Sequence, residues 1–154
     1  MSGYDTDIVT WSERQAALLR QHAATARSND PAIDWPNIIE EIESVGRSER
    51  AALASHVRTI LEHLAKLEAS QAAEPRAGWR QTVLRARAAI DEVLEESPSL
   101  RPTVDAVIQR ELKRIRPLVA DALATDNQAP RVPLDRISYS ADQMRGPWLP
   151  EDPT

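Results

Sequence analysis

Glu49, His56 and His63 recur at intervals of seven residues, so on a helix they fall along one side. Carboxylates and imidazoles are metal ligands and acid–base groups, which makes the row a candidate for either chemistry. Its spacing opposes a metal site: seven residues rise about 10.5 Å along a helix, whereas ligands of one ion converge within about 4 Å. Without partners from other helices the row is a polar seam that fixes helix register, and neither a metal nor a cofactor is expected. Arg58 and His63, with four residues between them, form a second candidate pair, here for phosphoester chemistry. Glu40, Glu41 and Glu43 form a carboxylate cluster. Interhelix ion pairs to Arg76, Arg80, Arg85 and Arg87, or to Arg110, Lys113, Arg114 and Arg116, account for it better than catalysis does. Glu41 falls beside the apolar residues Ile38, Ile42 and Val45 and is expected to be partly buried. Trp35 and Trp79 open helices, where they anchor packing or, alternatively, stack on a ligand.

Several chemistries have no counterpart in the chain. Its four glycines, Gly3, Gly46, Gly78 and Gly146, compose no phosphate-cradling loop, and neither G-x-S-x-G nor H-E-x-x-H occurs. Leu19, Leu53 and Ile60 stand three residues before the three histidines, where a di-iron bundle requires glutamates. Cysteine is absent, which removes disulfides, thiolate ligands and a cysteine nucleophile, and suits a reducing compartment. The N-terminal residues carry Asp5 and Asp7 instead of a basic and apolar leader, and no apolar run is long enough for a membrane. A cytoplasmic location is expected. The net charge of -5 disfavours general nucleic-acid binding, which needs a cationic surface.

The elements that position these residues are helices. Phenylalanine is absent and glycine scarce among many helix-forming Ala, Leu, Glu and Arg residues, so the predicted fold class is all-α, a bundle of about four mainly antiparallel helices. The first helix is predicted from Asp7 to Ala26, capped by Thr6 or Asp5, with Ile8, Trp11, Leu18, Leu19 and His22 on its inner face. Ser28 to Pro31 breaks the chain. Asp34 caps a second helix from Pro36 to Ala69, which is expected to bend or break near Gly46 or to be covered there by a second copy. A third helix carries Trp79 and stops at Ser97 and Pro98; Ser99 caps a fourth, with Pro117 inside it. Residues 1–125 are thus read as the bundle. Residues 126–154 form a Pro-rich extended tail with one short helix, Ser140 to Arg145, packing on that bundle within a single domain.

The stretch Asp34-Trp35-Pro36-Asn37-Ile38-Ile39-Glu40-Glu41-Ile42-Glu43-Ser44-Val45-Gly46-Arg47-Ser48-Glu49 resembles the signature of the bacterial domain of unknown function 29 family. Tyr4 to Trp11, His63-Leu64-Ala65-Lys66, Trp79, Ser97-Pro98-Ser99-Leu100 and Trp148-Leu149-Pro150 resemble further pieces of it in order. Ala65 and Leu67 depart from its usual Leu and Trp, and His56 matches none of its motifs. The resemblance implies an all-helical fold and transfers no activity. Separately, Arg58 to His63 resembles the Arg-x4-His element of the HEPN ribonucleases, in which Arg and His from two protomers meet, and Arg50 to His56 resembles its looser form. Two readings follow. The first is a non-enzymatic helical interaction or regulatory protein, a homo-oligomer with a dimer favoured, working through the second helix on a protein partner; its binding residues are drawn from Trp35, Glu41, Glu49, His63 and Trp79. The alternative is a metal-independent ribonuclease using Arg58 and His63.

Overall fold

The computed structural model describes residues 3–25 and 30–154, and among these residues every regular element is helical. In chain order they are a 3-10 turn at Gly3–Asp5, α1 (Ile8–Thr25), α2 (Trp35–Ala69), α3 (Arg76–Glu96), a 3-10 segment Pro98–Thr103, α4 (Val104–Thr125), a 3-10 turn Leu134–Arg136 and α5 (Ala141–Arg145). The break expected at Ser28 and Asn29 lies outside the described residues, as does the expected last residue of the first helix, Ala26. Two compact units are made from this chain: residues 1–52 with 93–101, and residues 53–92 with 102–154.

In the first unit Asp7, one residue later than expected, caps α1, its Oδ1 accepting the Thr10 N–H at 2.8 Å. Asp7 wins because its carboxylate also takes the Ser99 N–H at 2.6 Å and the Ser99 hydroxyl at 2.9 Å, so Ser99 serves α1 and α4 begins later, at Val104. Burial, the first influence on the Asp7 carboxyl, would raise its pKa; the bonds from Thr10 and Ser99 outweigh it and hold it below the ordinary range. The face of α1 that goes inside is Val9, Ser12 and Ala16, small residues at helical spacing, while Leu18 stays exposed. Gly46 of α2 lies against this helix at Ser12: a Cβ there would stand 2.9 Å from Ser12 Oγ. Gly46 therefore marks a close helix crossing, and α2 runs through it unbroken for 35 residues, correcting the expected break. Arg50 donates to Glu13 at 2.9 Å and Arg20 pairs with Glu43, so α1 and this part of α2 run antiparallel on either side of the glycine. The buried face of α2 here follows Ile39 and Gly46, which puts Glu41 about half a turn away, exposed and not partly buried as expected.

In the second unit Leu53, Val57, Ile60, Leu61, Leu64 and Leu67 of α2, Val83 and Ile90 of α3 and Ile108, Leu112, Ile115 and Val119 of α4 are all buried and make up the apolar core. His56 and Thr59 of α2 line one groove with Thr82, Arg85, Ala86 and Ala89 of α3, and the short connection between the two helices favours an antiparallel pair. Arg58 meets Glu111 while Ser70 meets Gln128, so α2 and α4 run the same way. Asn127 ends α4 in the left-handed region at φ 55, with its N–H on Ala124 O at 3.0 Å and that of Gln128 on Leu123 O at 2.8 Å, the paired closure of a Schellman turn. That turn aims the Gln128 amide at the end of α2, where Oε1 accepts from Ser70 Oγ at 2.7 Å and from Gln71 N at 3.1 Å. Beyond it, Ser140 caps α5 reciprocally with Gln143, and Met144 is fully buried.

Candidate functional site

Between α2 and α3 in the second unit lies an open groove of about 320 Å³ lined by His56, Thr59, Thr82, Arg85, Ala86 and Ala89. Its floor is alanine because α3 repeats small residues where it faces α2. The walls are polar. Thr59 and Thr82 each turn their hydroxyl back to the carbonyl four residues earlier, Ser55 O at 3.1 Å and Gly78 O at 3.0 Å, which spends the donor and leaves acceptor lone pairs. Arg85 is exposed and has no ion pair or hydrogen bond among the described residues, although Arg80 and Arg87 on the same helix are both committed. The groove thus offers one guanidinium fork, one imidazole and two acceptor hydroxyls over an apolar floor. Among the described residues no carboxylate lines it to orient His56 as a base, so its groups are suited to contacting a polar or anionic group and not to acid–base catalysis.

The structure does not gather the other sequence-derived candidates at this groove. Glu49, in the first unit, lies near Glu96; burial first and that neighbouring charge second push its carboxyl above the ordinary range. His63 is half-buried and its Nδ1 is 2.7 Å from Thr59 O, so that nitrogen carries the proton and donates it to the carbonyl. Trp35 is half-buried, with its ring edge-on to His22 at 5.8 Å. Trp79 is half-buried at the start of α3, and Glu41 is exposed. Among the described residues no three His, Cys, Asp or Glu side chains are placed to hold one metal ion.

Sequence reasoning passed over the residue that decides what Arg58 does. Glu111 of α4 is completely buried, and Arg58 Nε donates to its Oε2 at 2.8 Å while Arg114 and Arg110 approach its Oε1 at 3.2 and 3.4 Å. Burial alone would raise the Glu111 carboxyl's pKa; the hydrogen bond and charge of Arg58, with Arg114 and Arg110, outweigh it and hold it below the ordinary range. A signal existed: Glu111 sits on the stripe Val104, Val107, Ile108, Ile115, and a carboxylate on an apolar stripe needs a cation. The basic residues are accordingly paired differently from the expectation. Glu43 and Glu40 pair with Arg20 and Arg47, Arg110 and Arg114 with Glu111, and Arg87 with backbone carbonyls alone. With Arg58 committed to Glu111 and His63 to its own helix, the ribonuclease reading finds no support.

Comparison with known proteins agrees with this architecture. The family model described as Domain of unknown function DUF29 matches residues 3–145. The chain belongs to that family. An alpha-helical protein of unknown function from Rhodospirillum rubrum, known from its crystal structure, is similar at 28% identity with a TM-score of 0.76, over 92% of this chain and 88% of that one. No curated protein matches the chain. This DUF29 protein therefore shares family and fold with proteins to which no activity is attached. Among the described residues no helix is long and apolar enough to cross a membrane.

Proposed function

We propose that this DUF29 chain is a non-enzymatic, cytoplasmic interaction protein that works as a homodimer, with the α2–α3 groove as its working surface. The observation that carries the reading is Arg85, an uncommitted guanidinium at the edge of an alanine-floored groove on a helix whose other arginines Arg76, Arg80 and Arg87 are all engaged. Alanine floors let another helix approach closely, and an unpaired cation at the rim selects an acidic face. A second copy supplies one: Glu41 is exposed and has no ion pair among the described residues, and the chain is net acidic. A two-fold interface would use each contact twice, so modest pairs suffice.

Sedimentation equilibrium of the full chain tests this. Wild type is expected to dimerise reversibly. Ala89→Trp, which fills the groove, and Arg85→Glu, which reverses its charge, are each expected to weaken the dimer by at least about tenfold, the equivalent of about 1.4 kcal/mol. Both positions are incompletely buried, so both variants should fold. A monomeric wild type, or a dimer indifferent to both changes, refutes the proposal.

A further inference from the structure

At the start of α3 two guanidiniums meet one carboxylate, and the three groups are held very unequally. Arg76 is only 4% exposed. Its Nη2 donates to Leu67 O at 2.6 Å and its Nη1 to Ser70 O at 3.4 Å, which satisfies carbonyls at the end of α2 and fixes the plane of the guanidinium. A further donor, Nε–H, reaches Asp152 Oδ1 at 2.7 Å, and Arg80 Nη2 donates to the same oxygen. Asp152 is the exposed member: its side chain is 55% exposed, and residues 146–154 form no helix. Around it opens a cavity of about 480 Å³, walled by Gln71, Ala73 and Ala77 and by Pro153 and Thr154 beside Asp152, and much larger than one carboxylate fills.

A buried guanidinium anchored on two carbonyls and holding an exposed carboxylate in a roomy cavity has the form of a site filled by a stand-in for its ligand. We propose that Arg76 and Arg80 form a binding site for a small oxyanion, a phosphate or a carboxylate, of which Asp152 is the displaceable resident. Asp152 engages both arginines through one oxygen, whereas a free oxyanion can give each guanidinium an oxygen of its own and fill more of the cavity. Displacement is eased because Asp152 and Arg80 keep part of their side chains in water, where an ion pair contributes little net free energy. The site lies apart from the α2–α3 groove and does not depend on it.

The test is calorimetric titration of the full chain at fixed ionic strength, with inorganic phosphate in one arm and succinate in the other. Asp152→Asn removes the competitor and is expected to bind one or both anions at least about tenfold more tightly than wild type. Arg80→Ala in the Asp152→Asn background is expected to abolish that gain. Arg76 is left in place because it also holds the end of α2. In parallel, the Arg76 Nε–H resonance of Asp152→Asn is expected to shift on titration, which localises the anion. The arm showing the gain identifies the oxyanion as phosphate or carboxylate. Absence of a gain in both arms, a gain that survives Arg80→Ala, or a stationary Arg76 resonance overturns the assignment.

Discussion

Glu111 shows how one buried carboxylate settles the roles of residues that look chemical in the sequence. A lone carboxylate in this core would cost several kcal/mol, so the chain surrounds it with Arg58, Arg110 and Arg114, and Arg58 is thereby removed from the pool of catalytic groups. The consequence is a stability that depends on pH in a defined sense. Because the folded carboxyl titrates below its ordinary value of 4.5, its contribution is fully present above that value and is lost as pH falls through the lower, folded one. Glu111→Gln should therefore cost about 2 kcal/mol near neutrality, less than a fully enclosed pair because Arg58 remains partly in water. Urea melts of the two proteins from about pH 7 down to about pH 3 should show the gap narrowing only in acid. A gap that is constant over the whole range would mean that charge pairing is not what Glu111 contributes.

Helix starts and stops were legible where a side chain both caps and breaks: Asp34 accepts from Asn37 N at 3.3 Å, and Ser97 with Pro98 closes α3. Faces were less legible, because hydrophobicity alone misplaced the inner side of α1. Its true face, Val9, Ser12 and Ala16, is chosen by the size of what it meets, and Gly46 stands 37 or fewer residues away in a chain whose crossing point no local pattern reveals. The same holds for the groove, where Thr82 and Arg85 become neighbours of His56 only after α3 folds back. If Gly46 is there for close approach, Gly46→Leu should destabilise by about 2 to 3 kcal/mol through overpacking. Gly46→Ala sets a helix-propensity gain of up to about 1 kcal/mol against the contact with Ser12 Oγ. Ser12→Ala, which removes that oxygen, should make Gly46→Ala more favourable than it is in the wild-type background. Additive effects of the two substitutions in thermal melts would show that Gly46 and Ser12 do not touch.

At the scale of the molecule, each of α2 and α3 contributes residues to both compact units, and the segment after α4 completes the second. That segment is gripped through its backbone as well as its side chains. Buried Arg87 donates to Met144 O at 2.9 Å, Gln143 O at 2.8 Å and Trp148 O at 2.7 Å, and Arg116 donates to Ile137 O at 2.7 Å. Side-chain bonds add to these, among them that of the buried Tyr139 hydroxyl to Glu68 at 2.6 Å; burial, and then that carboxylate, raise the phenol's pKa. Trp148 contributes separately, its ring 6.0 Å from that of Tyr139 and only 37% exposed. Trp148→Ala removes the ring and keeps the carbonyl that Arg87 uses, so the loss should be that of a partly buried aromatic, about 1 to 2 kcal/mol, or roughly 2 to 8 °C in melting temperature for a chain of this size. Arg87→Ala removes three bonds at once and opens a cavity, and should cost more. Because both substitutions loosen the same segment, the double variant should lose less than the sum of the single effects. Calorimetric melts of the four proteins decide it: an unchanged midpoint for Trp148→Ala, or strict additivity with Arg87→Ala, would mean that the ring and the guanidinium do not hold one docked segment.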